Sequence, residues 1–413
     1  MKARVLAALV ALVAACIAPG AAQAQLPGGG GGSCFGELEA DDVQRLPGQR
    51  LRYGITPGVQ AGQVGPVPAE AVPEQRPRTL EALAELRPAD GPLVLRLNRL
   101  FWSDRRAGID RFLALAERYT RRGYLVELQL RYHPDEAQEG QIGRWTRYVR
   151  RVVRRFGPND RVVAIQVTNE VNLTVSGDSS DGSFDRARDA LVRGVVAAKR
   201  EARRRGFEQL EIGFNWFYRT DPGNEQSFWE HLRDHRIASK FVDAVDWIGL
   251  DAYPDTFFPP IEVPGDERDG MVNAMSTLRC LAAIPGIPET VPMHVEENGW
   301  PTPPGRSYER QAEFLTNAVG AVDDFRGTYN VTDYRWFNLR DADTSSPALA
   351  QRYGLLEDDY DRKPAFGVYR DFVDARSIRE PRRPPQGGSD AQPAGENGGY
   401  GLSHGRPPGP RAR

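Results

Sequence analysis

Residues 142–170, "IGRWTRYVRRVVRRFGPNDRVVAIQVTNE", carry two periodicities in succession. In the first part Ile142, Trp145, Tyr148, Val149, Val152, Val153 and Phe156 recur at three- and four-residue spacing with arginines opposite, which predicts an amphipathic helix. "VVAIQVT" (162–168) is a short apolar, β-branched run that predicts a strand, and it ends on Asn169 and Glu170. Helical stripes alternating with apolar strands are the pattern of a parallel sheet covered by helices.

The same alternation runs through the body of the chain. Further strand candidates are "RLRYGI" (50–55), "LVLRLN" (93–98), "YLVELQLR" (124–131), "LEIGFNW" (210–216), "VDWIGLDAY" (245–253), "MHVEE" (293–297) and "YRWFNL" (334–339). Helical stretches lie between them, near 79–87, 107–122, 184–205, 224–241, 268–284 and 307–325, and a last one follows at 365–376. Eight such units predict an α/β fold, a (β/α)₈ TIM barrel forming a single catalytic domain over 41–376. The chain has no G-x-G-x-x-G after its first strand and no G-x-x-x-x-G-K-[ST], so dinucleotide and P-loop readings lack their fingerprints.

The ends read differently. A basic head, the apolar run "VLAALVALVAACIA" and "AAQA" predict a signal peptide over 1–24, and hence a secreted, extracellular protein. Cys16 in "LVAAC" offers the alternative of a lipoprotein anchor. Residues 25–40 contain the flexible leader "LPGGGGGS", and 377–413 form a Pro/Gly-rich, polar tail that predicts disorder. No later segment holds about 20 apolar residues, so no membrane span is expected. The formal net charge of −2 implies no nucleic-acid partner. Once the leader is removed Cys34 and Cys280 remain, either as one disulfide or as two buried thiols.

A barrel places its chemistry at the C-terminal strand ends. The fourth strand ends on Asn169–Glu170, and the seventh runs into "HVEENGWPTPPG" (294–305) with Glu296 and Glu297 adjacent. Side chains alternate along a strand, so parity sends one of these glutamates into the mouth and the other toward the helix layer or a neighbouring loop. Two carboxylates flanking a small group can protonate a leaving oxygen and attack the carbon behind it. The blander readings are a helix cap for Asn169–Glu170, a structural ion pair for Arg96, and surface positions for His231 and His235, which lack the Glu of a zincin motif.

"TNE" after the fourth strand and "EENGWPT" after the seventh resemble the signature of retaining glycoside hydrolases of clan A, including families 5, 17 and 39. "WFNLRDAD" and "GLLEDDYDRKPAF" are similar to their closing segments. The resemblance implies a carbohydrate substrate, with Glu170 as acid/base and Glu297 as nucleophile. Asn169 matches the neighbour that bonds the sugar 2-hydroxyl, and Tyr253 the tyrosine contacting the nucleophile. Arg96 resembles the arginine that holds the nucleophile ionised, His133 a sugar-binding histidine, and Trp336 the aromatic floor of the cleavage subsite. Glu296 departs from the family, which usually has a small hydroxyl residue there. Trp216 and Trp300 are among the aromatics expected to line a sugar cleft. The expected activity is an O-glycosidase needing no cofactor or metal. The alternatives are a transglycosylase using the same residues and a non-catalytic carbohydrate-binding barrel.

Overall fold

The computed structural model describes residues 34–59, 61 and 71–379. The signal-peptide reading, most of the leader and the tail beyond 379 lie outside them.

Eight parallel strands close into a barrel in chain order. They are β1 (Arg52–Ile55), β2 (Val94–Phe101), β3 (Leu125–Arg131), β4 (Val162–Val167), β5 (Glu211–Phe217), β6 (Trp247–Asp251), β7 (Met293–Asn298) and β8 (Val331–Trp336). Closure comes from β1 against β8, with Arg52 beside Asp333 and Ile55 beside Trp336. The helices among the described residues are α1 (Arg76–Leu86), α2 (Arg105–Thr120), α3 (Ile142–Phe156), α4 (Ala187–Arg205), α5 (Pro222–Asp234), α6 (Ala238–Val242), α7 (Glu267–Ala282), α8 (Tyr308–Phe325) and α9 (Pro364–Arg376). This is the (β/α)₈ barrel expected. The helix expected over 224–241 is two helices, because His235 is extended (φ −65°, ψ 135°) and its Nε2 lies 3.1 Å from Asp189 Oδ1. None of the described helices is long and apolar enough to cross a membrane.

The apolar strand residues face the helices, and the polar ones between them fill the barrel. Leu95, Leu97, Val126, Leu128, Ile165 and Val167 belong to the outer core, with the buried stripe Trp145, Val149, Val152 and Phe156 of α3. Inside, where bulky aliphatic layers are the rule, stand Arg96, Glu127, His294, Glu296, Asp333 and Arg335, all fully buried. Arg335 reaches Asp333 at 2.6 Å and Glu127 at 3.2 Å, and Arg52 reaches Asp333 at 3.0 Å. The two nitrogens of His294 each lie 3.2 Å from a carboxylate, of Glu296 and of Asp333. Charges taken from water require such partners, since an unpaired buried ion costs several kcal/mol, on the order of 3–5. Against the cost of burial, His294 first and then the Arg52 and Arg335 guanidiniums hold Asp333 well below the usual carboxylate range.

Cys34 and Cys280 form a disulfide with Cα atoms 5.4 Å apart. It fastens the start of the described chain to α7, where Leu38 N–H also donates to Asn273 Oδ1 (2.8 Å) and Ala40 N–H to Asp269 Oδ1 (2.7 Å).

Candidate active site

Asn169 and Glu170 come one residue after the end of β4 and are buried at the barrel mouth. The chain reaches this position through two non-glycine residues of positive φ, Thr168 (68°) and Glu170 (45°). Such conformations cost about 1–3 kcal/mol each and persist where neighbours over-determine them. Here the neighbours are explicit. Asp181 Oδ2 accepts from Asn169 N–H (2.9 Å) and Tyr132 N–H (2.8 Å), and its Oδ1 accepts from Arg131 Nε (2.9 Å). Asn215 Oδ1, from β5, accepts from Glu170 N–H (2.9 Å). The loop 177–183 therefore anchors the backbone that aims Glu170.

Across the mouth, β7 does not keep strict alternation. Leu250 pairs with Val295 while Asp251 pairs with Glu297, so Glu296 is the extra residue of a bulge. Parity predicted that one of the two glutamates turns toward the helix layer or a neighbouring loop. The bulge corrects this, and both carboxylates enter the barrel at different depths. Glu296 lies deeper, its Oε2 3.1 Å from Arg96 Nε. Glu297 stands above it, accepting from Arg96 Nη1 (2.7 Å) on Oε1 and from the Tyr253 hydroxyl (2.8 Å) on Oε2. Arg96 completes its fork with Gln166 Oε1 at 2.7 Å.

Glu170, Asp251 and Glu297 each bring a carboxylate oxygen within 4.8 Å of the others. Burial, and then the charge of Glu297, push the Glu170 carboxyl up to about 8. The same trio, and the deeper trio Glu127, His294 and Glu296, have the spacing of a metal site. In each, Arg96 already supplies positive charge to a member, Glu297 in the first and Glu296 in the second.

Asn169, Arg96 and Tyr253 join this cluster. Asn169 Oδ1 accepts from Gln129 (2.8 Å) and Asn215 (2.9 Å), and its Nδ2 points toward Glu170 Oε2 at 3.4 Å. His133 lies on the rim, stacked on Phe101 with centroids 4.3 Å apart and 3.2 Å from Ser103 Oγ. The expected tryptophans do not line the mouth. On β5 the inward residues are Gly213, Asn215 and Phe217, so Trp216 points outward, packs on Trp229 and donates from Nε1 to Glu225. On β8 Arg335 is inward and Trp336 outward, against Phe314 of α8 and Tyr369 of α9. Trp300 is 2% exposed, donates to Asp255 (2.8 Å) and packs under the Arg306 guanidinium, bracing loops. The aromatic group at the mouth is instead Phe217, Tyr253, Phe337 and Tyr353. Phe257 extends it, 5.6 Å from Tyr253 by ring centroids and 44% exposed.

Asn215, Asp251, Gln129 and Gln166 were not expected in the site; their signal was alternation, a polar residue at every second strand position between outward apolar ones. Asp181, in the loop 177–183, carries no such periodic signal.

No protein-family model matches the sequence, and no curated protein matches it. Solved structures match in fold. GH5_18 from Streptomyces cattleya, in complex with GlcNAc, aligns over 81% of this chain and 82% of its own at 14% identity and a TM-score of 0.52. A family 1 b-glucosidase from Thermotoga maritima aligns over 82% of this chain and all of its own (100%), at 12% identity and a TM-score of 0.54. A b-glucuronidase from Ruminococcus gnavus aligns at 15% identity and a TM-score of 0.50, the match spanning 79% of this chain and 50% of that one. The chain thus shares the barrel of these glycosidases.

Proposed function

We propose that the protein is a secreted retaining O-glycoside hydrolase acting on a polysaccharide or oligosaccharide by double displacement. One observation carries the reading. Glu170 and Glu297 bring oxygens within 4.8 Å of each other at the barrel mouth, in opposite surroundings. Glu297 receives a guanidinium and a phenol, whereas Glu170 is buried and its carboxyl is pushed up to about 8. An acid that keeps its proton beside a donor-supported carboxylate is the division of labour glycoside cleavage needs.

Glu170 gives its proton to the glycosidic oxygen as a Glu297 oxygen attacks the anomeric carbon and the bond to the leaving sugar breaks. Glu170, now a carboxylate, takes a proton from water, whose oxygen displaces Glu297 from the same carbon. Carboxyl groups about 5–5.5 Å apart suit this route, while inversion needs about 6.5–9.5 Å for the water. Export is supported by the leader sequence and by the Cys34–Cys280 disulfide, since such bonds persist in oxidising compartments.

The test is to incubate the mature protein with a panel of aryl glycosides and polysaccharides. Release of reducing sugar or aglycone is expected for at least one, abolished by Glu170→Gln on unactivated substrates. Binding of sugars with no turnover of any of them would overturn the reading.

A further inference from the structure

Asp251 is the last residue of β6 and, with Trp247 and Gly249, faces into the barrel. It is fully buried. Its Oδ2 accepts from Asn215 Nδ2, and among the described residues its Oδ1 meets no donor. The same asparagine accepts from Glu170 N–H at 2.9 Å, so one amide clamps both acids. Groups facing them come from every side: Glu297 and Glu296 of β7, Arg96 of β2, Arg131 of β3 and Tyr253 after β6. The cations are committed elsewhere, Arg96 to Glu297 and Arg131 to Asp181. Among the described residues no cation is paired with Asp251, and an uncompensated buried carboxylate takes up a proton instead.

We propose that Asp251 is a positioning residue for Glu170: carried as the neutral acid, it donates a hydrogen bond to the Glu170 carboxylate formed when that residue protonates the leaving group. The proposal rests on the glycosidase reading. It gives the orphaned carboxyl of Asp251 a partner, and it uses a carboxylic acid kept neutral by an apolar site as a donor. Asp251 brings a carboxylate oxygen within 4.8 Å of one from Glu170, and burial first, then the charges of Glu297 and Glu170, raise the Asp251 carboxyl well above its usual range. Proton accounting is simple. The proton that leaves is Glu170's own and returns from water, while the proton of Asp251 stays between the two residues throughout.

The experiment needs no substrate. The Glu170 carboxyl carbon is titrated by NMR in protein labelled at glutamate Cδ, the resonance being assigned by its loss in Glu170→Gln. Asp251→Ala removes the donor and should move the Glu170 titration up by about one pH unit or more. Asp251→Asn keeps a donor of the same size and should leave it within about half a unit. An unmoved titration in Asp251→Ala overturns the inference, as does a downward move in Asp251→Asn, which would mean an anionic Asp251 repelling Glu170. If Asp251→Ala does not fold, the Asp251→Asn titration decides alone. Kinetics supply the second readout: Asp251→Ala should lose about tenfold in kcat/KM on an alkyl glycoside and little on a dinitrophenyl glycoside, whose leaving group needs no acid. Equal losses on both substrates would mean general damage to the site and overturn the inference. A wild type that cleaves no glycoside sinks the glycosidase reading, whatever the titration shows.

Discussion

Glu296 and Glu297 are consecutive in the chain, yet both carboxylates end on one guanidinium, Arg96 Nε lying 3.1 Å from Glu296 and Nη1 2.7 Å from Glu297. The bulge in β7 that makes this possible also separates their roles. Glu297 is at the mouth; Glu296 is sealed below it among Arg96, His294 and Glu127.

Substituting the two should therefore give opposite phenotypes. Glu297→Ala is expected to fold and to lose at least about 10⁴-fold in kcat, roughly 5 kcal/mol of transition-state stabilisation. Azide should restore turnover, with the inverted glycosyl azide as product. Glu296→Ala strips a buried ion-pair partner and should cost about 3 kcal/mol of stability, read by urea unfolding, with a loss of activity of about tenfold or less. If azide rescues Glu296→Ala instead, the assignment of nucleophile is wrong.

The pH profile of kcat/KM should be bell-shaped, with its alkaline limb near 8 where Glu170 gives up its proton. This sits higher than a pair of ordinary carboxylates would give, because burial and the Glu297 charge act together. An alkaline limb below pH 6 would contradict the environment described for Glu170.

Glu170 should also make the protein less stable as pH rises. Its folded carboxyl titrates above the unfolded value, so the native state binds the extra proton and stability falls from the unfolded pKa up through about 8. Glu170→Gln removes that penalty. Its Tm should exceed the wild-type Tm by more at pH 8.5 than at pH 5, measured by scanning calorimetry; a gap that shrinks with pH would be the wrong sign.

The fold was legible because the outward face of each strand is apolar and the helices between carry matching stripes, as in α3. Glu170 was legible as a carboxylate at a strand end. Which strand residues face inward was also written in the sequence, in "VLRLN", "LVELQL" and "VAIQV", where Arg96, Glu127, Gln129 and Gln166 alternate with aliphatics. That parity carried onto β5 and β8 puts Trp216 and Trp336 outside. The resemblance had favoured tryptophan over the inward Phe337, and the eighth strand was expected at 334–339 where it spans Val331–Trp336. The bulge at Glu296 was not legible, because it depends on how β7 pairs with β6 and β8.

Trp216 checks the parity directly. Trp216→Phe removes the indole donor to the buried Glu225 carboxylate and should destabilise by about 1–3 kcal/mol. Its KM should stay within about twofold of wild type, since no sugar reaches the ring. A large rise in KM with unchanged Tm would put Trp216 in the cleft.

The most direct test of the whole account is the anomeric configuration of the first product, followed by proton NMR in deuterated buffer before mutarotation sets in. Glu170 and Glu297, with oxygens within 4.8 Å, predict that a β-glycoside releases the β-sugar first, or an α-glycoside the α-sugar. Initial appearance of the opposite anomer would contradict attack by Glu297 and require a water between the two carboxylates.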